Sequence, residues 1–381
     1  MTQPYVLYGA QSSYYTARVR ACLRKKSVPY VERLPSVPRY RAHVRPAAGT
    51  HRIPVIETPD GLVIQDSTVI IDHLDAAFPD PPALPPGPRQ HLAAQLMSVL
   101  GVEGLLQPAM HYRWNYPDEN LAFIIAEFGR SLRPGGTPAE VEAAGRLVAG
   151  RMSSKLLGLG ITPQTVPAIE AAYHALLALL DAHFFCTPYF LGDIPGVADY
   201  ALIGPLYAHL GRDPAPLRLM QTRAPSLFRW VEQMNAPGLD YAEFPAATGA
   251  YPADDQIPPT AVAVLRHLVR WTGAELIAFA GRYNAWVNEQ IDLPAGAPLA
   301  TDTDQPLLGE VEAAYPSGPA RLAARAHALW LLQRPLDDLN RRSGAERGAC
   351  DGLVAEIDGA ALMGLRLARP LVRTDARLCL G

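Results

Sequence analysis

The chain has 381 residues, of which 49% are hydrophobic and 19% charged, with a formal net charge of −3. That is enough apolar material for a sizeable core, and at about 100–200 residues per domain the length implies two or three domains. The near-neutral balance argues against a nucleic-acid partner, which would call for a basic stripe, and no apolar run reaches the ~18 residues of a membrane span.

From the N-terminus, "YVLYG" (residues 5–9) reads as a buried strand. The start lacks the basic segment and long apolar stretch of a signal peptide, so a cytoplasmic location is expected. The hydroxyl-rich "SSYYTARVR" (12–20) leads into a helix over 16–26, with Val19, Cys22 and Leu23 on the inner face and Arg18, Arg24 and Lys25 elsewhere. "VPYVERL" (28–34) is a second strand, followed by a polar stretch over 35–52. "IPVIET", the turn "PDG" and "LVIQ" read as a hairpin, and "DSTVIIDHLDAAF" as a helix beginning at an Asp-Ser cap. The order is βαβ–loop–ββα.

"PDPPALPPGPRQ" (79–90) is a stiff connector that marks a domain boundary. Helical periodicity dominates from His91 to about Phe244. A second break, "PAATGAYPADDQIPPT" (245–260), carries Asp254 and Asp255, both expected to be solvated. In the next helix Val264, Leu265, Leu268, Leu276, Phe279, Tyr283 and Val287 form one apolar face. "ARLAARAHALWLLQR" reads as a further helix, interrupted at Pro335, with Arg321, Arg325 and Arg334 on its exposed face. The last residues, "RPLVRTDARLCL", look extended. The expected domains are 1–82, 88–245 and 246–381. Cys22, Cys186, Cys350 and Cys379 are scattered without a C-x-x-C pair, and each is expected to be a small core or surface residue. A G-x-S-x-G elbow, H-E-x-x-H, a P-loop and a dinucleotide fingerprint are all absent from the sequence.

The βαβ–ββα order followed by helices resembles the glutathione transferase superfamily over roughly residues 3–244. The resemblance implies an α/β plus all-α protein: an N-terminal thioredoxin-like glutathione-binding domain, a helical domain, and here an additional, mainly helical C-terminal extension. Ser13 stands six residues before the "VR" of Val19 and Arg20, where the active serine of "SPFSRKVR"-like members stands. A helix N-terminus presents unpaired N–H groups and partial positive charge, and a hydroxyl there can donate to a thiolate and lower its pKa. Glutathione held this way becomes a nucleophile. The same serine can equally be a helix cap and nothing more.

In "RIPVIETPDG", Ile53 and Pro54 match the position of a cis proline whose preceding residue offers its backbone to the cysteinyl part of glutathione. Arg52 stands where many members carry a lysine, and can pair with a peptide carboxylate or remain solvated. Asp66 and Ser67 match the acidic residue and serine that hold the γ-glutamyl end, although both are also good cap residues. "GDIPGVADY" resembles the family's buried capping box, with Gly196 in place of the usual Ser or Thr and Asp199 in a structural role. Tyr14 departs from a common proline, residues 35–52 are unusual in composition, and the last 135 or so residues are absent from ordinary members.

For a second substrate, the resemblance implies a pocket between the first helix and the early helices of the second domain. Tyr14, Tyr15, His111, Tyr112, Trp114 and Tyr116 would give it an aromatic wall for a small hydrophobic electrophile, unless they are core. The implied function is a metal-independent, glutathione-dependent transferase, usually a homodimer. The competing expectation is a non-catalytic scaffold that kept the fold and uses its extension for protein contacts. A glutaredoxin-like oxidoreductase is disfavoured, because Ser13 and Thr16 stand where its two cysteines would be.

Overall fold

The computed structural model describes residues 3–239, 241–290 and 293–381. β1 (Tyr5–Tyr8) leads into α1 (Tyr14–Lys25) and then to β2 (Tyr30–Arg33), which pairs in parallel with β1. The stretch over 35–52, read from sequence as polar and irregular, holds a π-turn at Tyr40–Val44 and the short α2 (Arg45–Ala48). β3 (Val55–Glu57) pairs antiparallel with both β1 and β4 (Val63–Gln65), and α3 (Ser67–Ala77) closes the unit. The sheet order β2-β1-β3-β4 is the thioredoxin-like arrangement expected.

The all-helical part comprises α4 (Pro88–Glu103), α5 (Leu106–Trp114), α6 (Pro117–Leu132), α7 (Pro138–Ser153), α8 (Val166–Cys186), α9 (Val197–Ala208), α10 (Pro214–Arg223) and α11 (Pro225–Asn235). α1 is clasped between the sheet and α9. Gly204 permits that approach, since a Cβ there would stand 2.9 Å from both the Arg18 Cγ and the Tyr14 carbonyl oxygen. Covered on both sides, α1 has no solvent face over much of its length, so Arg18 and Lys25 are buried although the sequence places them off the inner stripe. Lys25 donates to the carbonyls of Gln233 and Gly238, and Arg20 pairs with Glu32 at 2.7 Å. α8 is long and apolar enough to cross a membrane by length and composition, yet it buries Ile169, Tyr173, Leu176, Leu177, Leu180 and Phe184 inside the protein.

Asp199 takes the structural role expected of it. Its carboxylate accepts from the amides of Gly196 at 3.0 Å and Phe190 at 2.9 Å, both buried. Asp199→Ala leaves two buried amides unpaired and is expected to cost about 1–3 kcal/mol of unfolding free energy. Denaturant titration checks this; a loss below about 0.5 kcal/mol would mean that water reaches the amides.

The remainder begins with α12 (Pro259–Glu289), a single 31-residue helix whose expected apolar face is buried throughout. β5 (Leu307–Tyr315) and β6 (Gly318–Arg325) then form a hairpin, followed by α13 (Ala326–Arg341), α14 (Gly344–Glu356), α15 (Ala360–Met363) and the terminal hairpin of β7 (Leu371–Thr374) and β8 (Arg377–Leu380). The extended character expected of the last residues is present. Three expectations for this region are corrected. Residues 320–325 are strand rather than helix, because β5 supplies a pairing partner. Pro335 sits inside α13 without ending it, since Leu329, Leu332, Leu336 and Leu339 anchor the helix on either side. Arg325 is not a surface residue: it lies in a buried cluster, 2.9 Å from Glu103 and 3.1 Å from Glu275. Nor is Asp255 merely solvated, for it accepts from the amides of Arg89 and Gln90 and so caps α4.

Candidate functional site

The sheet register gathers three loops at one edge. Tyr8 at the end of β1 faces Val55 at the start of β3, and Val55 faces Gln65 at the end of β4. The segments that follow or precede these residues carry Ser13, Ile53-Pro54 and Asp66-Ser67. The Ile53-Pro54 peptide is cis.

Ser13 is the N-cap of α1, with extended φ −87° and ψ 118°, and its Oγ accepts from the Thr16 amide at 3.3 Å. That bond uses an oxygen lone pair and leaves the hydroxyl proton uncommitted. Tyr14 is buried and donates to the Val102 carbonyl at 2.5 Å. Tyr15 is half-buried beside it; burial and the nearby Glu103 push its phenol up to about 12.

The aromatic residues of α5 lie elsewhere. His111 pairs with Glu170 at 2.9 Å, Tyr112 meets His174 at 3.1 Å, and the Tyr116 hydroxyl donates to Glu170 at 2.7 Å, all towards α8. Trp114 stacks on Phe128 of α6. The side chain that α5 sends to the α1 loop is Arg113. It forms a bidentate pair with the fully buried Asp213 at 2.6 and 2.9 Å and donates to the Ser12 carbonyl at 3.4 Å. It also donates to His209 Nε2 at 2.8 Å; that ring is buried and neutral, its pKa held well below the ordinary value by burial and by Arg113.

The opposite side of the site is occupied by the C-terminal part of the chain. Arg52 is not solvated: its Nε lies 2.8 Å from Asp304, which Thr50 also contacts. Asp66 caps α3 through the Thr68 amide at 2.8 Å, and its second oxygen lies 3.0 Å from His327 Nε2. Ser67 Oγ accepts from Arg18 at 2.7 Å. Arg373 donates to the Gln65 carbonyl at 3.0 Å and stands over the Trp330 ring. Sequence reasoning missed Arg18, Arg113, Asp304, His327 and Arg373. The first two sit in recognisable helices but on faces that only the domain packing defines, and the other three lie beyond any resemblance. Cys22 is buried, which pushes its thiol up to about 12 and leaves it a core residue. Among the described residues no group of three His, Cys, Asp or Glu side chains is placed to hold a metal.

Residues 7–82 match the family model for the glutathione S-transferase N-terminal domain, and residues 163–233 match that for the C-terminal domain. Similar solved structures include a glutathione S-transferase from Methylobacterium radiotolerans in complex with glutathione sulfonate, 22% identical, with 67% of this chain and 100% of that chain covered at TM-score 0.37. Glutathione transferase GSTFuA3 from Phanerochaete chrysosporium is 18% identical over 61% of this chain and 97% of its own, at TM-score 0.43. A glutathione S-transferase from Methylobacillus flagellatus with glutathione bound is 18% identical over 61% of this chain and 99% of its own, at TM-score 0.34. No curated protein matches the sequence.

Proposed function

The chain belongs to the glutathione S-transferase superfamily by its two matched domains, and on that premise we propose that it is a thiol-dependent transferase whose thiol substrate is of the glutathione type. The peptide would lie across Ser13, the Ile53 backbone and Ser67. The Ser13 hydroxyl and the first amides of α1 would hold its sulfur as a thiolate, which then attacks an electrophilic carbon. The S–C bond forms as the electrophile's leaving group or π-electron pair departs.

One observation carries this reading: Ser13 caps α1 by accepting a hydrogen bond, which leaves its proton free to donate at a helix N-terminus. Ser67 adds a second hydroxyl at the head of α3 for the peptide's carboxylate. The second substrate would be a small electrophile approaching past the half-buried Tyr15. A homodimer and a cytoplasmic location belong to the proposal as family expectations, the first read from the mass of the purified chain in solution.

A second reading has its own support. Asp66 and Arg52, two of the side chains expected to hold the peptide, are engaged by His327 and Asp304, as in a scaffold that no longer binds a thiol. Calorimetric titration with reduced glutathione and its close analogues separates the two. Saturable binding that is lost in Ser67→Ala is expected. Silence up to millimolar peptide would leave the scaffold.

A further inference from the structure

In the interior, Arg325 stands between two acids. Glu103, at the end of α4, and Glu275, midway along α12, are 4% and 1% exposed, and both accept from one nitrogen, Arg325 Nη2, at 2.9 and 3.1 Å. The guanidinium stands over the Phe279 ring, 4.9 Å from its centroid, and its buried Nε and Nη1 have no partner among the described residues. The other groups close by are neutral. Tyr315 of β5, which faces Glu275, accepts from Gln107 Nε2 at 3.0 Å, and burial together with Glu275 pushes its phenol up. Tyr15 of α1, beside Glu103 and Arg325, is pushed up by burial as well. One cation against two carboxylates leaves a buried negative charge uncompensated whenever both acids are ionised.

The cost is greatest at Glu275. Its Oε2 has Arg325, but its Oε1 is buried without a hydrogen-bond partner among the described residues, and so is the hydroxyl of Thr272 one turn back on α12. A buried carboxylate oxygen that no donor meets is expensive to keep ionised. Burial raises the Glu275 carboxyl, and Glu103 adds to the rise against the pull of Arg325 and Tyr315. The cluster also joins separate parts of the chain. Arg325 is the last residue of β6 and the N-cap of α13, so it fastens the β5–β6 hairpin and the head of α13 to α4 and α12. The hairpin lies on α12 as a two-stranded sheet of its own, which makes it the part least costly to release.

We propose that Glu103 and Glu275 together hold one proton while the hairpin is docked, and that rising pH removes it and releases the β5–β6 hairpin and the head of α13 from α4 and α12. A carboxyl that folding raises contributes stability that is whole below its unfolded value of about 4.3 and is lost as pH climbs through the folded one. Each further pH unit makes opening up to about tenfold more favourable. His327, two residues beyond Arg325, bonds Asp66, so the same release loosens the contact at the head of α3. The device operates whether or not a thiol binds at Ser13.

The test is hydrogen exchange of the full chain between about pH 5 and pH 9, read by mass spectrometry as protection relative to each amide's intrinsic rate, for wild type, Glu275→Gln and Glu103→Gln. In wild type, protection over residues 307–327 is expected to fall at least about tenfold as pH rises, while α4 and α8 hold theirs. Either variant leaves one acid facing one cation, so its protection over the same residues should change by less than about twofold. Two variants are used so that a folding defect in one does not decide the matter. Flat protection in wild type overturns the inference, because both acids are then ionised, or both neutral, throughout. A fall of wild-type size in both variants overturns it, since the proton then lies on another group. A fall spread equally over α4, α8 and the hairpin overturns it too, in favour of general destabilisation.

Discussion

Arg113→Met is expected to lower the unfolding free energy by about 3–5 kcal/mol, because it leaves Asp213 as an uncompensated charge in a fully buried position. The lost attraction alone would not produce so large an effect. Two well-aligned bonds link the partners, and neither has water to fall back on when the other is removed. Removing both charges together should therefore be far milder: Arg113→Met with Asp213→Leu is expected to recover much of the loss. Denaturant unfolding of the two single variants and the double variant makes the cycle. Additive losses would show that the residues are not coupled and that the pair is open to solvent. The single variant should also weaken thiol binding, since Arg113 holds the Ser12 carbonyl and with it the approach to Ser13.

Ser13→Ala should reduce kcat/KM for thiol transfer by about 10²- to 10³-fold, the usual consequence of removing one donor to a developing or stabilised anion. It also removes a cap, which costs about 1 kcal/mol of stability, so the melting transition should move only modestly. The two roles separate in the pH profile. If the hydroxyl stabilises a thiolate, the activity of the variant should rise with pH towards the ~8.5 range of an unassisted thiol, while the wild type is already on its plateau. A variant that loses stability but keeps its rate and profile would make Ser13 a cap alone.

Much of the site's frame was legible because it depends on local signals. A strand, a hydroxyl cluster and a basic-apolar helix were legible locally, while the resemblance singled out Ser13 among those hydroxyls; an Asp-Ser cap marked the start of α3. What failed depends on partners distant in sequence. "ARLAAR" reads as helix by residue preference, since Ala, Leu and Arg are all good helix formers. It is strand because β5, an unremarkable "LLGEVEAAY", lies beside it through a two-residue turn. The same limit applies at α5. Four consecutive residues, His111 to Trp114, cannot all face one pocket, and the domain packing selected Arg113 for the α1 loop while turning the rings to α6 and α8. For His327 and Asp304 there was no local sign at all, because their meaning lies in Asp66 and Arg52 at the far end of the chain.

That separation also sets an order in time. The links Arg52–Asp304, Asp66–His327 and Gln65–Arg373 span 252, 261 and 308 residues. Loop-closure entropy grows only slowly with such lengths, about 0.6 kcal/mol per doubling, so distance does little to weaken these contacts once made. It governs when they can be made. During synthesis from the N-terminus, both domains of the family fold are out of the ribosome before Asp304 is added, and domains generally fold as they emerge. The heads of α1 and α3, with Ser13, Asp66 and Ser67, are therefore made and can fold before His327 and the last hairpin have been added.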